Sequence, residues 1–240
     1  MLFPLKDDNP TAIIPFVTWF LIIVNVMVFI YQWSLGQRGF EVFAYQYGAI
    51  PAVVTGERSL PGGLAVIPPY VSVFTSMFLH GSWLHLIGNM WYLWIFGNNI
   101  EEAVGHFRYL VFYISCGFLA SVSHILSNSD SILPAIGASG AIAGVLGGYI
   151  LLYPHARVRT LIFLGFFIRL LYIPAGFVLG FWFILQLLSG SMAGRQDVGG
   201  VAFWAHVGGF VAGALLVGFF KKRNVRFLNP PRHRAWRYYD

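Results

Sequence analysis

The sequence predicts an all-α membrane protein whose main domain is a bundle of six transmembrane helices. Hydrophobic residues make up 58% of the 240 residues and charged residues only 10%, whereas a soluble domain carries about 25% charged residues. A bilayer span needs ~20 apolar residues. Six apolar runs come close to this length, over 13–33, 74–97, 108–125, 136–153, 172–189 and 202–220. This pattern excludes an ordinary soluble globular domain.

The first apolar run opens the predicted domain, 13–220, after a short cytoplasmic N-terminal segment, 1–12. The run is longer than the ~7–15 residues of a signal-peptide core, and the residues that follow it, YQWSLGQRGF, offer no small-residue cleavage site. We therefore interpret it as a retained span. The connection over 34–73 is rich in proline, glycine and aromatic residues, which favours an ordered loop at the membrane surface.

The stretch 161–189 is too long for one span of ordinary tilt, and it contains Arg169 and Pro174. A charged residue is costly inside a membrane helix, and a proline removes one of the helix's own hydrogen bonds. We divide the stretch into an interfacial or hairpin-like piece over 161–171 and a fifth span that begins near Tyr172.

The basic residues predict that both termini lie in the cytoplasm. Six spans place the two ends on one side, and seven of the fifteen Lys and Arg residues belong to a basic tail, 221–240. Cytoplasmic loops carry an excess of Lys and Arg, and this orientation leaves only Arg38, Arg58 and Arg195 outside. The net charge of +6 then indicates contact with the anionic face of the lipid bilayer, and no nucleic-acid partner is expected.

Four polar side chains lie at similar depth in three of the predicted spans. His85 and Asn89 are four residues apart in the second span and share one helix face. Ser139 lies near the start of the fourth span and His206 near the start of the sixth. Because these spans all run inward, we expect the four side chains to meet a short way below the outer surface. Polar groups inside a membrane are costly and tend to mark functional sites.

Glycines at helical spacing accompany this cluster. They are Gly137, Gly140 and Gly144 around the serine and Gly209 and Gly213 after the second histidine. Small residues at this spacing let membrane helices approach closely, and a short serine hydroxyl reaches an imidazole only if the backbones are near. The alternative is that the glycines form packing motifs and nothing else. A serine beside one stripe and a histidine beside the other favour a functional site.

A serine hydroxyl becomes a useful nucleophile when a base takes its proton. His206 is the candidate general base for Ser139. No acidic residue falls within a predicted span, and neither Asp130 nor Asp197 in the outer loops has a spacing that requires contact with the histidine. A Ser–His dyad is therefore the simpler hypothesis than a triad.

An acyl-transfer site also needs donors for the oxyanion that forms. The Asn89 amide, the His85 ring N–H and the backbone N–H of Ser139 near a helix N-terminus are the candidates. A zinc site is not expected, because His80 and His85 are five residues apart and no HExxH motif occurs. No metal and no cofactor are predicted.

At these residues the sequence resembles the rhomboid family of intramembrane serine proteases. The matching segments are FTSMFLHGSWLHLIGNMWYLWIFGNNIEEAVGHFRYL, GASGAIAG and AHVGGFVAG, in that order, over roughly residues 11–220 together with the first span. The resemblance implies a six-helix bundle with Ser139 as nucleophile, His206 as general base, and His85 and Asn89 in the oxyanion hole. Some family members carry a tyrosine four residues after the nucleophile, stacked on the base, where this sequence has Ala143.

The family resemblance implies a serine-type endopeptidase that cuts single-pass membrane proteins in or near a transmembrane segment. The alternative is a catalytically inactive rhomboid-like protein that binds membrane helices. A transporter or channel would place charges along a path through the membrane, and no acid or lysine lies in mid-span. By analogy with the family, the compact form suits a bacterial inner membrane. The sequence leaves the oligomeric state open.

Overall fold

The computed structural model describes residues 2–164, 167–193 and 202–229. The described ranges are mostly helical, with six long helices and three shorter ones in the connection after the first. The long helices are α1 (Phe16–Ser34), α5 (Trp83–Val104), α6 (His106–Ser127), α7 (Ser139–Leu152), α8 (Ala175–Ala193) and α9 (Phe203–Phe220), and the shorter ones are α2 (Gly36–Tyr47), α3 (Pro51–Val54) and α4 (Pro69–Thr75). Most of the basic tail, 230–240, lies outside the described residues.

Four of the described helices, α1, α6, α8 and α9, are long and apolar enough to cross a membrane. Helix α7 is apolar but has only 14 residues, and the 22-residue α5 carries Glu101 and Glu102 near its end. The chain is therefore a mostly helical membrane protein. The six spans and the cytoplasmic position of both termini stay predictions.

The second predicted span, 74–97, differs from the helix that the structure places there. The chain first completes α4, makes a 3₁₀ turn over Ser76–Phe78 and only then enters α5 at Trp83, which continues to Val104. Ser82 sets this start, because its Oγ accepts a 3.1 Å hydrogen bond from the backbone N–H of His85 and so caps the first turn. His85 is thus in the first turn of α5 and not deep within a helix.

The expectation of an all-α protein is confirmed only in part: the described residues are mostly helical, but they also form a three-stranded antiparallel sheet in the order β1–β2–β3. Its strands are β1 (Leu2–Asp7), β2 (Arg157–Leu164) and β3 (Phe167–Pro174). The hairpin of β2 and β3 covers the piece for which the sequence predicted an interfacial or hairpin-like structure. Helix α8 begins directly after it at Ala175, slightly later than the predicted start near Tyr172.

The N-terminal strand is attached to the helical bundle through α5. The indole Nε1 of Trp91 donates a 2.7 Å hydrogen bond to the carbonyl oxygen of Pro4 in β1. Further along, Asn99 Nδ2 donates to the carbonyl oxygen of Asn9 at 2.6 Å. The sheet therefore lies at the end of the bundle where α5 and α7 finish, which we call the sheet end.

Helix α7 is the centre of the bundle. Nearly all of its side chains are buried, on every face of the helix, as expected for a helix surrounded by others. It packs against α6 through Gly144 and Cys116, and against α9 through Gly147 and the backbone of Phe210. Because α5, α7 and α9 all begin at the end opposite the sheet, their first turns come together there.

Candidate active site

Ser139 and His206 lie side by side where α7 and α9 begin. Ser139 is the first residue of α7 and His206 belongs to the first turn of α9. The Oγ atom of Ser139 is 2.7 Å from Nε2 of His206, which is within hydrogen-bond distance for a nucleophile and its base. Both side chains are half-buried.

The close approach of α7 and α9 makes this pair possible. A Cβ atom added at Gly209 would collide with the carbonyl oxygen of Gly140, and one added at Gly213 would collide with that of Gly144. On its other side Gly140 faces α6, where an added Cβ would lie 2.7 Å from Cβ of Ala120. The glycines therefore let α7 sit in backbone contact with α9 while touching α6.

His85 and Asn89 border the segment that leads into Ser139. A Cβ atom at Gly137 would lie 2.8 Å from His85 Nε2 and 3.7 Å from Asn89 Nδ2, and Gly137 has a φ of +130°, which side chains rarely adopt. His85 Nδ1 accepts a hydrogen bond from the backbone N–H of Gly81 at 3.5 Å. A neutral ring that accepts this long hydrogen bond on Nδ1 has its proton on Nε2, the atom that faces Gly137.

Asn89 is a buried amide with an unused donor. The residue is 8% exposed, and within the described part of the chain its Nδ2 has no hydrogen-bond partner. A buried N–H without a partner costs free energy, so such groups in a native structure call for an explanation. A ligand that accepts a hydrogen bond at this position would supply one.

A cavity of about 780 Å³ joins the four polar side chains. Its walls include Ser139, His206, His85 and Asn89, together with the apolar side chains of Tyr92, Ile142, Leu146 and Trp182. A mostly apolar cavity of this size with a few polar groups is typical of a ligand-binding site. The structure thus brings all four residues predicted from the sequence to one cavity.

Two residues of α8 that the sequence analysis missed also contact His206. Its Nδ1 lies 2.8 Å from Oε1 of Gln186, and its ring packs on the indole of Trp182 with the ring centroids 5.8 Å apart and the planes at 37°. Trp182 therefore supports the ring although Ala143 replaces the stacked tyrosine of some family members. A lone amide in an apolar span was the signal that could have identified Gln186.

No carboxylate takes part in these contacts within the described residues. The nitrogen of His206 that faces away from Ser139 is bonded to an amide oxygen. Asp130 is exposed in the loop after α6, and Asp197 lies outside the described residues. A pair assisted by a neutral amide is therefore the arrangement seen here.

The sequence comparisons identify the family of this chain. The family model of the Rhomboid domain matches residues 69–223, which include the four polar residues of the cavity and α8. The chain therefore belongs to the rhomboid family, whose members are generally intramembrane serine proteases.

The chain is also similar to individual rhomboid proteins of eukaryotes. It is 28% identical over 156 residues to Rhomboid protein 1, mitochondrial, of Saccharomyces cerevisiae, a match that covers 63% of this chain and 42% of the yeast protein. It is 29% identical over 160 residues to Rhomboid-like protein 11, chloroplastic, of Arabidopsis thaliana, covering 65% of this chain and 54% of that protein. The chain thus spans about half the length of these curated relatives.

Proposed function

We propose that this protein is an intramembrane serine endopeptidase that uses Ser139 as nucleophile and His206 as general base. The observation that carries the proposal is the 2.7 Å contact between Ser139 Oγ and His206 Nε2 at the wall of a large cavity. Membership of the rhomboid family supports the reaction class. The names of the relatives above identify a family and not a reaction, so the activity proposed for this chain rests on its own site.

The proposed reaction proceeds in two acyl-transfer steps. Ser139 Oγ attacks the carbonyl carbon of the scissile bond while its proton passes to His206 Nε2. The imidazolium then gives that proton to the leaving amine as the C–N bond breaks, which leaves an ester on Ser139. Water, deprotonated by His206, hydrolyses the ester and restores the serine hydroxyl.

The oxyanion of each tetrahedral intermediate needs donors that are already in place. Asn89 Nδ2 is a buried donor with no partner in the described residues, and His85 offers Nε2–H beside Gly137. The backbone N–H of Ser139, at the start of α7, is a third candidate because a helix N-terminus favours negative charge.

The proposed substrates are single-pass membrane proteins. The cavity is mostly apolar and lies among helices of a membrane protein, so a segment that leaves lipid can enter it without exposing apolar side chains to water. A peptide carbonyl in an intact helix is already hydrogen-bonded and enclosed by its own side chains. Substrate segments with small or helix-breaking residues should therefore be cut best.

For the membrane, we propose six spans with both termini in the cytoplasm. The excess of basic residues on that side supports this orientation. A bacterial inner membrane stays a prediction from the compact six-span form, and the relatives reported above have mitochondrial or chloroplastic names.

The function is tested with purified protein in detergent micelles and a fluorescently labelled single-pass transmembrane peptide. Cleavage should be lost, by about 10⁴-fold or more in kcat, in both Ser139→Ala and His206→Ala, as for members of a unit that acts together. The matched controls Ser34→Ala and His155→Ala change exposed residues away from the cavity and should cleave like the wild type.

Cleavage that survives Ser139→Ala would overturn the proposal. A protein that binds the labelled peptide, as measured by fluorescence anisotropy, but never cuts it would be the inactive helix-binding protein instead.

A further inference from the structure

We propose that Gln186 is a positioning residue for His206: its side-chain oxygen holds the imidazole in the tautomer that accepts the proton of Ser139. This inference rests on the proposed function, since it assigns the third group of the same site. It adds a neutral amide on α8 to the Ser–His pair.

The distances on the two sides of the imidazole define the role. Gln186 Oε1 lies 2.8 Å from Nδ1 of His206, and Ser139 Oγ lies 2.7 Å from Nε2. An amide oxygen only accepts hydrogen bonds, so Nδ1 must carry the proton. The lone pair of the neutral ring is then on Nε2, where it faces the serine hydroxyl. The opposite tautomer would leave Oε1 against a lone pair and Nε2 without basicity.

The geometry also restricts the rotation of the ring. Trp182 and Gln186 are four residues apart and so share one face of α8. The indole packs on the imidazole, with planes at 37°, while the amide holds the Nδ1 edge. With Ser139 on the far edge, the ring is held at three points, and two of them come from α8.

The same hydrogen bond favours the charged state through which the reaction passes. When His206 takes the serine proton, both ring nitrogens carry hydrogen, and Nδ1–H remains a donor to Oε1. Hydrogen bonds to charged groups are stronger than those between neutral groups. Gln186 therefore stabilises the imidazolium without placing a second charge in the apolar cavity, where an ionised carboxylate would be costly.

A purely structural role for Gln186 would be a hydrogen bond that joins α8 to α9, as polar side chains do between membrane helices. The two roles differ in what they affect. Loss of a structural link lowers the stability of the fold, whereas loss of a positioning group lowers kcat and leaves substrate binding unchanged.

The test compares Gln186→Met with Gln186→Glu in the full-length protein. Methionine keeps the length and approximate volume but removes the acceptor oxygen. Glutamate restores an acceptor at the same reach, because the apolar surroundings favour its neutral acid form, whose carbonyl oxygen accepts from Nδ1–H. We expect Gln186→Met to lose about 10- to 100-fold in kcat with KM within about twofold, the scale of one hydrogen bond to a charged group. Gln186→Glu should recover most of that loss. Leu188→Met is the matched control, since Leu188 is exposed on α8 and lies outside the cavity.

The outcomes separate this inference from the proposed function. The positioning role is overturned if Gln186→Met keeps the wild-type kcat, whether or not its thermal midpoint falls. Cleavage by the wild-type protein would in that case still support the Ser139–His206 dyad. Loss in Gln186→Met without recovery in Gln186→Glu also overturns it, because the acceptor oxygen is then not what matters. A wild type that does not cleave, or a Ser139→Ala variant that does, refutes the proposed function itself.

Discussion

Both ends of the helical bundle contain buried polar groups, but they use them differently. At the sheet end, the carboxylate of Glu101 is fully buried and accepts hydrogen bonds from the backbone N–H groups of Val17 and Thr18 and from the Thr18 hydroxyl. At the other end, Asn89 keeps a buried donor without a partner in the described residues. The satisfied carboxylate of Glu101 fixes the fold, whereas the free donor of Asn89 lines the cavity, where a ligand can accept a hydrogen bond from it.

The Glu101 contacts show what a structural polar site does in this protein. Its two oxygens cap the N-terminus of α1, which has no side-chain cap of its own, and so join α5 to α1. His106 Nδ1 lies 2.5 Å from the same carboxylate. In the part of the chain that the structure describes, both oxygens of this carboxylate are therefore engaged in contacts within the protein.

The largest expected effect is the loss of kcat when Asn89 is replaced. Asn89→Ala should lower kcat by about 10²- to 10³-fold, since removal of one oxyanion donor has this effect. The thermal midpoint should stay the same or rise, because the Asn89 amide nitrogen has no hydrogen-bond partner to lose among the described residues. Cleavage of the labelled peptide and differential scanning fluorimetry measure the two quantities. Wild-type kcat in Asn89→Ala would remove Asn89 from the oxyanion site.

The opposite pattern is expected at the sheet end. Glu101→Ala should lower the free energy of unfolding by about 2–3 kcal/mol, because the N–H groups of Val17 and Thr18 lose their acceptor. The kcat of the protein that remains folded should stay within about twofold of the wild type. Active-site titration with a fluorophosphonate corrects for the folded fraction. A large fall in kcat per titrated site would mean that the two ends are coupled.

Close packing of α7 and α9 at their glycines should also matter for both stability and activity. Gly213→Ala places a methyl group against the carbonyl oxygen of Gly144 and should destabilise the protein by about 1–3 kcal/mol, with a fall in kcat as α9 carries His206 away from Ser139. Gly180→Ala is the matched control, since an added Cβ there has no atom within 4 Å. Thermal unfolding and cleavage assays check both, and equal behaviour of the two variants would contradict the packing account.

The fourth expected effect is a pH dependence at the sheet end. Burial raises the pKa of Asp7 from 3.8 to about 7, and this outweighs the hydrogen bond that its Oδ2 accepts from the Tyr149 hydroxyl at 2.6 Å. Between these values the unfolded chain loses the proton that the folded chain keeps, so stability should fall as the pH rises from about 4 to about 7.

The matched variant for this effect is Asp7→Asn, which cannot ionise at this position. Its thermal midpoint should decline less than that of the wild type over the same pH range. Identical pH dependence in the two proteins would show that Asp7 does not govern the effect.

The sequence was sufficient to predict the polar cluster, because His85, Asn89, Ser139 and His206 all stand out as polar residues in apolar runs. It failed at the start of α5, since apolar counting ran through the Ser82 cap, and a capping serine was visible there. The partner of Gln186 could not be predicted, because it depends on how α8 packs beside α9.

Apolar counting also did not predict the three-stranded sheet. In β2 the exposed Arg157 and Arg159 alternate with the buried Val158 and Thr160, the period of two that marks a strand. This alternation lies at the edge of the apolar stretch 161–189 and is too short to outweigh the count of apolar residues. The pairing of β1 with β2 joins residues far apart in the chain, which no local pattern indicates.

The most direct test of the central claim is covalent labelling of the wild-type protein with a fluorophosphonate, followed by mass spectrometry of the labelled peptide. An activated serine forms an Oγ–P bond and releases fluoride, so we predict one adduct, on Ser139, that is absent in Ser139→Ala and at least 100-fold slower to form in His206→Ala. Wild-type labelling in His206→Ala, or an adduct on another serine with Ser139 unmodified, would contradict the account.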